Sequence, residues 1–316
     1  MKSHHIHAPG YQDRDLEVLN YQMYQLPGTR LSFRGPPPEL RPNNYIAFVG
    51  AAQTFGCLCE NPFVNLIQAT TQIPSLNLGY GGAGPSFFTA QEGISRYLNE
   101  AKLVVVQIMS ARSVSNSCFE SHGLEYLERR SDGQRLSAQK SYQQLVKDHV
   151  RRQALWRRPF TILRSTFSSI PEIEKLVVET QERWCHEMVT LLDSIKVPKL
   201  LFWFSTRTPR YTPFYLHARL IFGSFPQLVN EKMIERIKPS ADGYLECVTR
   251  RGIPYTVKSR WNNKIVQIDP RRDRPDLGVN LLGIPWTHRY QTYYPSPQMH
   301  EDAAATLLPA LKRMAL

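Results

Sequence analysis

Residues 45–56 read YIAFVGAAQTFG, an apolar run that closes on Gly50 and leads through a short loop toward a helix-like stretch over 65–70. A run this short and this apolar, bounded by glycine, reads as a strand buried on both faces. The pattern returns four times. LNLGYGGAG (76–84) breaks into glycines, KLVVVQIMS (102–110) ends in the polar loop ARSVSNS, KVPKLLFWFST (196–206) is a fourth run and GYLECVTR (243–250) a fifth. Between them SAQKSYQQLVKDHVRRQALWRR (137–158) and EIEKLVVETQERWCHEMVTLLDSI (172–195) space their apolar residues as helices do. Continuous apolar strands alternating with amphipathic helices predict a mainly parallel sheet with helices on both faces, a three-layer α/β sandwich of flavodoxin-like type.

Outward from that core, residues 1–44 hold Pro9, Pro27, Pro36, Pro37, Pro38 and Pro42 with little periodicity and read as an arm packed on the body. Tyr21, Tyr24, Leu31 and Phe33 are its candidates for packing. Its RLSFRGPPPELR segment (30–41) reads as a solvated surface, with Arg30, Arg34 and Arg41 within reach of an anion as the alternative. Residues 45–316 then form one domain. The aromatic, basic stretch TRTPRYTPFYLHARLIFGSFP (206–226) is expected as an inserted loop or lid after the fourth strand. No internal repeat is visible.

The 316 residues carry 39 Lys and Arg against 27 Asp and Glu, a formal charge of +12 that favours anionic small molecules or glycans as partners. Nucleic acid is not expected, because the basic residues are dispersed and no DNA- or RNA-binding motif accompanies them. No apolar run is long enough for a transmembrane segment and the first residues are too polar for a secretory signal, so a cytoplasmic location is expected. Five scattered cysteines, Cys57, Cys59, Cys118, Cys185 and Cys247, read as reduced and mostly buried thiols. No metal site is expected: Cys57 and Cys59 lack a second pair, and His4, His5 and His7 lack further ligands. The sequence names no cofactor.

Ligands of open parallel sheets bind beyond the carboxyl ends of the strands, which directs attention to GAAQTFG, NLGYGGAG and ARSVSN, and to His300 in YYPSPQMHEDAAATLLPAL (293–311). In those loops the chain resembles the SGNH, or GDSL, hydrolase-like superfamily over about residues 45–311. YIAFVGAAQTFG, ENPF, NLGYGGAG, SVSN, LLFWFS and YYPSPQMH look closer still to a bacterial family of unknown function within that fold. Its members carry G-G-T-E-T-[YF]-G at the first turn, N-x-x-N-A-G-like glycines at the second and a final M-H.

The resemblance implies that Gly50, Ala51 and Ala52 stand where the superfamily has its Gly-Asp-Ser turn, so the serine nucleophile is missing. It implies His300 as a base, Asn116 as an oxyanion asparagine and Thr54 as a nearby hydroxyl, with Ala52, Gln53, Gly81 and Gly82 lining the substrate site and Arg112 or Arg207 at its rim. Pro297 occupies the place of the histidine's usual Asp, leaving Glu301, Asp302 or a carbonyl to orient the ring. For Asn116, a loop side chain bonding its own backbone is an equal reading. Three functions stay open: a group-transfer or hydrolytic enzyme on an anionic carbohydrate, a non-catalytic binding protein on the same fold, and a sulfotransferase using a nucleotide sulfate.

Overall fold

The computed structural model describes residues 15–156, 171–213, 221–266 and 290–315. Its centre is a parallel sheet of β1 (Ile46–Gly50), β2 (Ser75–Gly79), β3 (Leu103–Gln107), β4 (Lys199–Ser205) and β5 (Gly243–Val248). The strands lie in the order β5-β4-β3-β1-β2. That is the doubly wound, flavodoxin-like order, and its switch point lies between β1 and β3. All pairings are parallel, with Ile46 opposite both Ser75 and Leu103.

Side chains alternate across a strand, and here each alternate set enters a different core. Ala47, Val49, Leu76, Leu78, Val104, Val106, Leu201 and Trp203 face one layer of helices, with Trp184, Met188 and Leu192 of the helix Pro171–Ser194. Ile46, Phe48, Leu103, Val105, Leu200, Phe202 and Phe204 face the other, formed by Phe63–Thr71 and Pro297–Ala315. In β1, β3 and β4 burial on both faces is why the sequence reads as unbroken apolar runs, whereas β5 at the sheet edge keeps Glu246 exposed.

Three helices show a local reason to start or stop. Pro171–Ser194 begins with proline and places Glu172 and Glu174 in its first turn, where acidic groups suit the positive end of the dipole. In Glu231–Ile237 the Asn230 side chain accepts from Met233 N–H as an N-cap. The four-residue helix Ala52–Phe55 after β1 stops at Gly56, whose φ of 80° favours glycine.

Two features go beyond the sequence reading, although Tyr21, Leu31 and Phe33 do pack as expected of the arm. Residues Phe119–Glu120, Tyr126–Arg129 and Arg135–Ser137 form an antiparallel three-stranded sheet beside the third loop. The arm is also more built than its prolines suggest: Tyr24–Gln25 pairs with Ser32–Phe33, and Tyr21, Leu26, Leu31 and Phe33 are buried. Arg34, expected on a solvated surface, is only 5% exposed. Its guanidinium donates to the carbonyls of Phe55, Gly56 and Glu60 and lies over the rings of Tyr21 and Phe55.

All five cysteines are free, and four of them are buried. Among the described residues no helix is long and apolar enough to cross a membrane. His4, His5 and His7, the basic run 157–169 and residues 214–220 of the inserted stretch lie outside the described residues.

Candidate functional site at the carboxyl edge of the sheet

The turn after β1 is held by side chains from its two neighbouring strands. Gln107, the last residue of β3, accepts the Ala51 N–H at 3.1 Å and the Thr54 hydroxyl at 2.7 Å, both on Oε1. An amide oxygen is the only part of glutamine that can accept both, so the orientation of Gln107 follows from its partners. From β2, Asn77 donates to the Thr54 carbonyl at 3.0 Å and accepts the Gly79 N–H at 2.9 Å. Gly79 must be glycine, because a Cβ there would sit 2.1 Å from the Phe55 nitrogen. Thr54 is fully buried and turned into these bonds. Gln53 is 3% exposed, and its Oε1 has no partner among the described residues.

His300 lies in the first turn of Pro297–Ala315 and is fully buried. Its Nδ1 accepts the Phe63 N–H at 3.3 Å, and its ring stacks on Phe63 at 5.9 Å and tilts against Phe204 at 5.5 Å. Burial, then the nearby Arg34 charge, pushes its pKa down to about 3. A neutral ring whose Nδ1 accepts carries its proton on Nε2, and that N–H meets no partner among the described residues. His300 is therefore arranged as a donor in an apolar enclosure, whereas a base needs a free lone pair and a pKa near the working pH. Glu301 and Asp302 do not orient it. Both carboxylates engage Arg251, and Asp302 also accepts from Thr249.

Asn116 and Arg207 are also engaged away from a substrate position. Asn116 Oδ1 accepts the N–H groups of Cys118 and Phe119, and Nδ2 donates to Tyr142 and Thr180. This matches the backbone-bonding reading. Arg207 donates to the carbonyls of Thr208, Ser224, Pro226 and Val229 and lies over Trp203 and Tyr211. It thereby clamps both ends of the stretch expected as an inserted loop. Burial lowers its pKa to about 10.

Gly82 and Arg112 come together with Glu125 and Tyr293. Arg112, on the short turn Ala111–Ser113, forms an ion pair with Glu125 and donates to the Tyr293 hydroxyl at 3.2 Å. A Cβ on Gly82 would sit 3.0 Å from Glu125 Cγ, and Gly81 precedes it on the same half-buried loop. Tyr293 and Tyr294 rings meet edge to face at 5.0 Å, and Tyr294 packs against the cluster containing Ala52. Burial opposes the charge of Arg112, but the oxygens of Tyr293 and Glu125 outweigh it and raise its pKa. The structure thus brings Gly82 and Arg112 beside Glu125 and Tyr293, leaves Ala52 in the cluster against which Tyr294 packs, places Thr54 and Gln53 in the buried turn, and holds Asn116, Arg207 and His300 in internal contacts.

Sequence reasoning missed Gln107, Glu125, Tyr293 and Tyr294. Gln107 had a signal, since it is the single polar residue ending an apolar strand at the edge where ligands bind. Glu125 had none. Among the described residues no three His, Cys, Asp or Glu side chains gather to hold a metal.

None of the curated proteins compared with the chain matches it significantly. Among solved structures it is similar to a carbohydrate esterase family 2 enzyme with a carbohydrate-binding domain from Corynascus thermopiles (Myceliophthora fergusii), at 10% identity over 89% of this chain and 69% of that one, TM-score 0.38. It is also similar to a family two carbohydrate esterase from Clostridium thermocellum in complex with cellohexaose, at 9% identity over 90% of this chain and 67% of that one, TM-score 0.35. A family model described as "Domain of unknown function (DUF6473)" matches residues 10–264, most of the chain, and the protein belongs to that family.

Proposed function

We propose that this protein binds a carbohydrate at the carboxyl edge of its sheet and does not carry out serine-type acyl chemistry there. The observation that carries this reading is the double occupancy of Gln107 Oε1. Acyl transfer needs free donors aimed at a developing oxyanion, and the turn's Ala51 N–H and Thr54 hydroxyl are already spent on an internal amide. Ala52 offers no nucleophile, and the enclosed, neutral His300 offers no base.

The same edge is suited to a sugar. Tyr293 is 46% exposed, so a pyranose ring could lay its C–H face on the phenol while its hydroxyls donate to Glu125 and accept from Arg112. The formal charge of +12 favours an acidic glycan over a neutral one. In this reading residues 1–44 serve as an arm on a single domain spanning 45–316, with 206–226 inserted beside it.

The test pairs binding with turnover. Thermal shift against acidic oligosaccharides, nucleotide sulfates and acyl-CoA should give a rise with a glycan that is lost in Tyr293→Ala and Arg112→Ala. Acetylated sugars and aryl acetates should not be hydrolysed. Hydrolysis that disappears in His300→Ala would restore the enzymatic reading, and a shift confined to nucleotide sulfates would favour sulfotransfer.

A further inference from the structure

The most exposed large apolar side chain among the described residues is Trp261, at 70%. It stands at the tip of a hairpin over residues 257–266, VKSRWNNKIV, in which Lys258 bridges to Ile265. Backbone bonds run from Ser259 to Lys264 and from Val266 to Val257, both at 2.8 Å. Side chains fix the turn itself: Trp261 N–H donates to Ser259 Oγ and Lys264 N–H to Asn262 Oδ1, while Asn263 takes the left-handed conformation at φ 58°. The base is anchored by buried Val257 and Ser259 and by the Arg260 N–H, which donates to the Glu17 carbonyl. Trp261 is thus held outward by an ordered turn.

Charge surrounds it. Lys258, Arg260 and Lys264 are all exposed, the segment contains no Asp or Glu, and none of the three cations pairs with a carboxylate among the described residues. The Arg260 guanidinium lies 4.0 Å over the Trp261 ring. Ile265 adds a second exposed apolar side chain at 37%.

We propose that this hairpin docks the protein on an anionic lipid surface. Indole rings settle at the boundary between headgroups and acyl chains, and cations beside them are drawn to an anionic leaflet. Residues 260–265 form a run of consecutively exposed positions, a protrusion that a deformable interface can close around. A small solute needs a concavity instead. Single-stranded nucleic acid binds by stacking bases on open aromatic faces, and one face of Trp261 already carries Arg260.

Cosedimentation of the full chain with vesicles tests the proposal. Binding is expected to phosphatidylcholine vesicles that contain phosphatidylglycerol, not to phosphatidylcholine alone, and should fall as salt rises. Lys258→Gln or Lys264→Gln should each lower the partition coefficient about five-fold. Trp261→Ala should lower it further with an unchanged melting temperature, since the indole is outside the core. Equal binding to neutral vesicles, or binding that survives Trp261→Ala combined with both lysine changes, would overturn the proposal. Retention of the protein by single-stranded RNA with no vesicle binding would also overturn it.

Discussion

Replacing Gln107 with leucine removes one atom that satisfies two buried donors, and the cost can be worked from that fact. Without Oε1, the Ala51 N–H and the Thr54 hydroxyl lose their acceptor. Each buried group left unsatisfied costs about 1–3 kcal/mol. Leucine also removes the Gln107 Nε2 group, which has no partner among the described residues, and this returns on the order of 1 kcal/mol. Gln107→Leu should therefore destabilise by about 1–5 kcal/mol. In a chain of this size the melting temperature should drop by roughly 2–8 °C. Thr54→Val removes only one of the two donors and should cost less. The double variant should cost less than the sum of the singles by about 1 kcal/mol, because the hydroxyl orphaned by Gln107→Leu is then gone. Urea denaturation of the four proteins measures all three quantities. A Gln107→Leu protein within about 0.5 kcal/mol of the parent, with additive behaviour in the double variant, would refute the reasoning. It would mean that the Ala51 N–H is open and that the principal support for a binding role has gone.

His300 should leave a signature in acid. Its folded pKa of about 3 lies below the ordinary 6.5, so below pH 6.5 the unfolded chain takes up a proton that the folded chain refuses. Stability contributed by this site is whole above that pH and declines toward pH 3, with a limiting slope of about 1.4 kcal/mol per unit. Equilibrium unfolding of His300→Gln should lack this component; identical pH profiles for the two proteins would contradict the enclosed, neutral imidazole. Arg207→Ala should strip donors from the carbonyls of Ser224, Pro226 and Val229 and cost roughly 2–3 kcal/mol. Limited proteolysis should then cut within 206–226 faster than in the parent, and an unchanged cleavage map would show that the clamp is not needed.

The central sheet was legible because burial on both faces leaves a strong trace: YIAFVG, KLVVVQ and KLLFWF can be little else when bounded by loops and separated by helical spacing. The three short strands between Phe119 and Ser137 left a weaker one, since Tyr126–Arg129 is half-exposed and its side chains need not be apolar. A clue was present in SDGQ, where Gly133 takes φ 68° at the turn between the second and third of these strands. At the site, sequence could show that Ala52 carries no nucleophilic group and that Pro297, not an Asp, stands three residues before His300. It could not show how His300 is spent, because enclosure by Phe63 and Phe204, with the charge of Arg34 brought near from far along the chain, is a property of the folded whole. Arg34 misled for a related reason: an arginine among prolines resembles a solvated arm until the carbonyls of Phe55, Gly56 and Glu60 come to meet it.

The double bond pattern at Gln107 also bears on how such a protein can change over generations. A serine at position 52 would need a free N–H close by to be of use, and freeing the Ala51 N–H means altering the residue that keeps Thr54 and the turn in place. A first step toward acyl chemistry here would weaken the scaffold on which the second must act, while His300 would still lie enclosed among aromatic rings. Changes that leave Gln107 and Thr54 alone keep the turn intact, whereas a path to a nucleophile at this edge crosses a valley in stability whose depth is set by the amide that fills the turn.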